Sequence, residues 1–245
     1  MARQIAISDA SCCFRFGYPR CVSAPRTYRQ HCGLAAALDL LGERWTMLIV
    51  RELSLRPKRF GELEELLPGL GTNLLSARLK ALEEAGVVRR ALLPPPARVR
   101  VYELDDRGRR LEPVLDDLAL WGYDLLPDAP GENLARASWI ALSMRAAAGD
   151  EPCDLGDGVI GLDVAGELLV LSSVDGHLRV RHGVPDGPPT ATLRTDLATF
   201  YLIASGALTL AAAKRAGQLE VDGDSRYAAA LLRAYPLPER AAAAA

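Results

Sequence analysis

RFGELEELLPGLGTNLLSARLKALEEAGVVRRALLPPPARVRVYEL, residues 59–104, changes its apolar period once, and that change decides the fold. In the first part Phe60, Leu63 and Leu67 recur at helical spacing until Pro68-Gly69 stops the turn. Leu75, Leu79 and Leu82 then form a second stripe ending at Ala85-Gly86, with Thr72 as the expected N-cap. After Gly86 the pattern is that of strands: Val87 to Leu93, a break at Pro94-Pro95-Pro96, and Arg98 to Leu104 with Val99, Val101 and Tyr102. Two short helices joined by a tight turn and followed by a proline-broken hairpin make the layout of a winged helix.

Working outward, Leu34, Leu38 and Leu41 place a helix from His31 to a stop at Gly42, and Trp45, Leu48, Ile49 and Leu53 share one face of a second. A last helix carries Leu111, Val114, Leu115, Leu118 and Trp121, with a kink expected at Pro113, which lacks a backbone donor. Two prolines and a glycine mark residues 125–131 as a linker. Beyond it lie a helix around Trp139 and strands at Val159–Asp163, Glu167–Val174, His177–Arg181 and Thr190–Arg194, with Asp175-Gly176 as a hairpin turn. Helices at Asp196–Ser205, Leu210–Ala216 and Tyr227–Ala234, and a strand at Gln218–Asp222, complete the chain. The fold class is therefore α+β: a winged helix-turn-helix over 29–124 and a second α+β domain over 132–236. Residues 1–28, which have no period, read as a disordered extension, and 237–245 as a frayed tail.

Composition narrows the function classes. No run approaches the ~18 apolar residues of a membrane span, and the start MARQIAISDASCCF lacks a basic segment followed by a sustained apolar one, so a cytoplasmic protein without membrane association is expected. Five Cys is an odd number for a disulfide framework, which makes reduced thiols the default. The net charge of −2 hides an asymmetry: residues 25–122 hold 16 Lys and Arg against 14 Asp and Glu, and residues 130–245 hold 10 against 14. A basic front half suits phosphates, while a pI near 6.0 excludes indiscriminate polycation binding.

The second helix of the quoted pair turns its leucines inward, which leaves Asn73, Ser76, Ala77 and Lys80 outside, with Thr72 at the start and Arg78 on the flank. These side chains suit double-stranded DNA. Asn pairs bidentately with adenine, Arg with guanine, and hydroxyl or methyl groups meet thymine or phosphate. Arg98 and Arg100 fall at the wing tip, where minor-groove or phosphate contact is expected, and Lys58-Arg59 open the first helix of the pair near the backbone. Arg89 and Arg90 read as a solvated strand end. The same helix read alone is an ordinary core stripe with a solvated face, and the ordered series of elements is what favours the DNA reading.

Enzyme chemistry would draw on Cys153, His177, His182 and Asp175, but no Gly-rich elbow or phosphate cradle accompanies them, so no catalysis is expected. Cys12, Cys13, Cys21, His31 and Cys32 lack the paired C-x-x-C spacing of zinc or cluster sites, so neither metal nor cofactor is expected. Cys32, just before a helix with His31 and Arg29 near it, is a candidate redox-sensing thiol; the alternative is a small apolar residue at a dimer interface.

CGLAAALDLLGERWTMLIVRELSLRPKRFGELEELLPGLGTNLLSARLKALEEAGVVRR, continuing to VYELDDRGRRLEPVLDDLALWG, resembles the HxlR family of bacterial winged-helix regulators, relatives of MarR, across residues 32–122. The resemblance implies a transcriptional regulator that forms a homodimer through the first and last helices of this domain and reads two major grooves. It puts Thr72, Asn73, Ser76 and Arg78 on the family's recognition positions and, in some members, an oxidant- or electrophile-sensing role on the residue matching Cys32. Arg100 and the triple proline depart from the family's wing. The segment ATLRTDLATFYLIASGALTLAAAKRAGQLEVDGDSRYAAALLRAY is similar to sterol-carrier-protein-like domains, most closely at residues 217–224. That similarity implies a hydrophobic small-molecule effector or an interaction module, and brings no catalytic residues. The set Trp139, Ile140, Leu169, Leu171, Phe200, Leu202, Ile203 and Leu208 suits either an apolar pocket or a dry core in a separately folding module. The competing reading is a lipid carrier whose helical domain serves dimerisation.

Overall fold

The computed structural model describes residues 27–95, 97–126, 135–148 and 158–234. The expected linker from 127 onward, residues 1–26, Pro96, Cys153 and the tail lie outside the described residues.

The front half runs α1 (Gly33–Leu41), α2 (Thr46–Leu55), α3 (Phe60–Leu66), α4 (Thr72–Glu84), β1 (Val88–Leu92), β2 (Arg100–Leu104), α5 (Asp106–Arg109) and α6 (Glu112–Tyr123). Ile49, Val50 and Leu53 of α2 meet Leu63, Leu75, Leu79 and Leu82, all but excluded from solvent, so the helical leucine spacing has become one core. Full burial of each such side chain contributes on the order of 2 kcal/mol. β1 and β2 pair antiparallel from Val88↔Leu104 to Leu92↔Arg100. A third segment joins them: Lys58 N–H donates to the Tyr102 carbonyl at 2.9 Å, and Tyr102 N–H donates back at 2.8 Å.

Three local expectations are corrected. Gly71, not Thr72, is the N-cap of α4, and Thr72 is its first helical residue. Pro113 sits in the first turn of α6, where its missing N–H has no intrahelical partner to lose, so it starts the helix instead of kinking it. The short α5 was not foreseen. Its Gly108 is required by close approach, since a Cβ there would collide with the Val87 carbonyl oxygen.

The back half runs α7 (Ala137–Ala148), β3 (Val159–Val164), β4 (Glu167–Val174), β5 (His177–His182), β6 (Ala191–Thr195), α8 (Leu197–Ala204), α9 (Leu210–Arg215), β7 (Leu219–Gly223) and α10 (Ser225–Ala234). The strands form one sheet in the order β5-β4-β3-β6-β7, with β3 and β6 parallel and the other neighbours antiparallel. Alternation sends Ile160, Leu162, Leu169, Leu171, Leu178, Val180 and Leu193 to one face, where they pack with Ile140, Met144, Phe200 and Ile203. Asp175-Gly176 closes the β4–β5 hairpin with φ of +52° and +80°.

Ile140, Leu169, Leu171, Phe200 and Ile203 of the expected apolar set thus belong to a packed core, whereas Leu202 is exposed and Trp139 half-buried. The back half is also less separate than expected, because Leu55 of α2 and Tyr123 of α6 are buried within its core cluster. α6 packs along α7, and Arg145 on α7 grips Asp116 on α6 with two hydrogen bonds of 2.6 and 3.0 Å.

Candidate nucleic-acid interface

On α4, Leu75, Leu79 and Leu82 are buried, and Asn73, Ser76, Ala77 and Lys80 are exposed at spacings of three and four, which puts them on one solvent-facing line. Thr72 is exposed at the head of that line and donates its hydroxyl to Glu64 Oε1 at 2.6 Å, tying α4 to α3. Lys80 keeps only a loose contact with Glu84 at 3.7 Å. Arg59, Arg98 and Arg100 are exposed and form no ion pair among the described residues. Arg98 adopts φ +41°, a turn conformation that carries its side chain to the wing tip.

Two expected contacts are corrected by this geometry. Arg78 lies on the flank of α4, where its Nη2 donates to Glu43 Oε2 at 2.6 Å and its Nε to the Arg44 carbonyl at 3.3 Å. It clamps α4 to the α1–α2 connection instead of standing free for guanine. Lys58 is wholly buried, because the backbone bridge to Tyr102 makes it part of the wing sheet and sends its side chain inward, away from any phosphate. Arg89 and Arg90 are exposed as expected but paired, with Glu103 at 2.7 Å and Glu83 at 2.8 Å.

A helix with a buried leucine row, an exposed polar line and a cation-bearing hairpin beside it is equipped to enter a groove, and the relatives agree. Residues 40–129 match the HxlR-like helix-turn-helix family, and residues 143–234 match the SCP-2 sterol transfer family. YvaP of Bacillus subtilis, named an uncharacterised HTH-type transcriptional regulator, is 44% identical over 89 residues, which make up 36% of this chain and 82% of YvaP. YodB of the same organism, named an HTH-type transcriptional regulator, is 36% identical over 88 residues, 36% of this chain and 79% of YodB. The chain belongs to the HxlR-like helix-turn-helix family. It is a DNA-binding transcriptional regulator that carries an SCP2 domain behind its reader.

The seam between the two halves of this HxlR-like regulator holds a second constellation, which sequence reasoning missed. Glu52 on α2 is fully buried and takes a hydrogen bond from the Trp139 indole Nε1 on α7 at 3.0 Å and an ion pair from Arg51 at 2.8 Å. The Arg51 guanidinium stacks over the Trp139 ring at 4.1 Å. Burial pushes the Lys58 ammonium down to about 8, with Arg56 beside it adding to the effect and Glu52, Glu62 and Glu167 opposing it. Burial alone would raise the Glu167 carboxyl. His182, 3.0 Å away, together with the Ser138 hydroxyl and the Ala137 N–H, outweighs it and holds Glu167 at about 2. One signal was available in the sequence: Glu52 sits three residues after Ile49 and three before Leu55, an acid at the spacing of a buried face.

Cys32 is exposed before the first turn of α1, and the N–H groups of Ala35 and Leu34 draw its thiol below the ordinary range. His177 and Asp175 stand at the β4–β5 turn, and His182 is engaged with Glu167. Among the described residues, no helix is long and apolar enough to cross a membrane.

Proposed function

We propose that two copies of this chain read a pseudo-palindromic duplex in the cytoplasm, under control of a hydrophobic small molecule held by the SCP2-bearing half. Each copy places α4 in the major groove and its wing against the adjoining backbone or minor groove. The observation that carries the reading is the free solvent face of α4, with Thr72, Asn73, Ser76 and Lys80 in line and Arg59, Arg98 and Arg100 around it. Asn73 is suited to adenine, the hydroxyls of Thr72 and Ser76 to a base edge or phosphate, and the four cations to the backbone. Lys58 and Arg78 are left out of this set.

Exposed apolar side chains on α1 and α6, among them Leu34, Leu38, Val114, Leu118 and Trp121, the last 70% exposed, support a homodimer built on those helices. The reading is of a binding protein without catalysis, as the regulator relatives suggest. Cys32 is its candidate redox-sensing position, exposed and inclined to the thiolate.

The test is a gel-shift titration of the full chain against duplexes selected from a random pool and scrambled versions of them, with sedimentation of the complex. Selected duplexes should bind on the order of 1,000-fold tighter than scrambled ones, with two chains per duplex and half-sites about one helical turn apart. Equal affinity for both duplexes would sink the reading and favour a lipid carrier whose helical half only joins copies.

A further inference from the structure

A cavity of about 590 Å³ opens at the seam, where the end of α2, the start of α7 and the β3–β4 turn converge. The volume lies within the ~300–1,000 Å³ of small-molecule sites. Its lining divides by chemistry: Arg56 and Arg136 supply guanidinium groups, Glu167 and His182 a carboxylate already paired, and Val164, Leu168 and Leu197 an apolar strip. Leu168 is 42% exposed, although its neighbours Leu169 and Val170 on the same strand are buried.

Among the described residues, each carboxylate around this cavity already has at least one partner, although Glu52 Oε2 is itself buried without one. Glu52 serves Arg51 and Trp139, Glu62 serves Arg56 at 2.7 Å and the Arg59 N–H at 2.6 Å, and Glu167 serves His182 and the Ala137 N–H. Among the described residues Arg136 is left over: its Nε is buried without a hydrogen-bond partner, and its guanidinium faces the Trp139 ring at 5.8 Å. The Lys58 ammonium, packed among the same acids, is likewise buried without one. Glu52 Oε2 is also buried without a partner and its charge answers that of Lys58, which leaves Arg136 Nε, beside an open space with an apolar wall, as the place for an anion that carries a hydrocarbon portion.

We propose that the seam cavity is the effector site and that its ligand is a carboxylate-headed amphiphile. Arg136 and Arg56 hold the head group, and the chain lies along Val164, Leu168 and Leu197. The proposal rests on the regulator reading and moves the ligand from the interior of the back half to its border with the DNA reader. Arg56 caps the end of α2 and leads directly into Lys58, Arg59 and α3, the first helix of the reading pair. A head group shared by Arg56 and Arg136 therefore fixes the α2–α3 junction relative to α7. A ligand that favours one such arrangement changes DNA affinity, and DNA changes ligand affinity by the same factor.

The experiment uses the full chain with decanoate and decanol, followed by titration calorimetry and Trp139 fluorescence. Decanoate should bind wild type at least about tenfold tighter than it binds Arg136→Gln, the expected loss of a charge-assisted contact. Decanol should bind both alike, and Leu168→Asn should weaken both ligands. Saturating decanoate should also shift the affinity for selected duplex by a factor matched in the reverse titration. Equal decanoate affinity in wild type and Arg136→Gln overturns the head-group assignment, and loss of neither ligand in Leu168→Asn overturns the location. Absence of decanoate binding in a protein that still separates selected from scrambled duplex refutes the seam site and leaves the regulator reading intact; failure of that separation strikes the regulator reading instead.

Discussion

The two places where this chain concentrates basic side chains treat them in opposite ways. At the reading edge, Arg59, Lys80, Arg98 and Arg100 stand in solvent with little to hold them, while at the seam Lys58, Arg51 and Arg136 are drawn among carboxylates and an indole. An exposed cation is cheap to keep and is available to a phosphate. A buried one costs several kcal/mol unless partners surround it, and it then serves the packing of elements. The residue type is common to both regions, so its environment decides the role.

The sharpest way to break this contrast is at Glu52. Glu52→Gln leaves Arg51 and Lys58 without their buried counter-charge and should lower unfolding stability by about 3–5 kcal/mol in urea titration. A loss within the ~0.5 kcal/mol of an ordinary surface change would show that the seam is no more demanding than the edge.

Lys58 offers a test with a sign. Its folded value near 8 lies below the ordinary lysine value, so the unfolded chain binds more protons between about pH 8 and 10.5, and stability rises with pH across that window. At pH 7 the buried charge costs on the order of 3 kcal/mol. Lys58→Met should therefore melt higher than wild type at pH 7, with the gap closing toward pH 10.5 and with the salt dependence of DNA binding unchanged. A reduced salt slope would return Lys58 to the phosphate-contacting set.

At the edge the effects should be smaller and should move binding instead of folding. Asn73→Ala should cost about 1–3 kcal/mol of discrimination at one base position, whereas Arg98→Ala should weaken all duplexes alike and lower the salt slope by about 1. Melting temperatures that fall with either change would place these residues in the packing, against the contrast. The smallest effect concerns Cys32→Ser, which should leave reduced-state DNA affinity unchanged and remove any release caused by mild oxidant. Release that persists in the variant would excuse Cys32 from sensing.

The order of elements was legible because each rests on local pattern. Leu75, Leu79 and Leu82 announce a helix by spacing, Val87 to Leu93 a strand by the loss of that spacing after Gly86, and Asp175-Gly176 a turn by its tolerance of positive φ. Asn73, Ser76 and Lys80 could be read as exposed once the leucines claimed the other side. Lys58 could not be read correctly, because its burial follows from a backbone bridge to Tyr102, forty-four positions away, that no local spacing encodes. Arg78 was misread for the same reason: its partner Glu43 lies on another connection. The seam stayed hidden because it needs Glu52, Trp139 and Glu167 from three separate elements, and tertiary packing alone joins them.

The sharing of Leu55 and Tyr123 bears on how such a protein can be taken apart. A reader half severed near residue 126 would carry both side chains as apolar scars where the other half had been. Swapping the rear portion for another at the bench should therefore keep the fold best when the newcomer brings sockets for one leucine and one tyrosine.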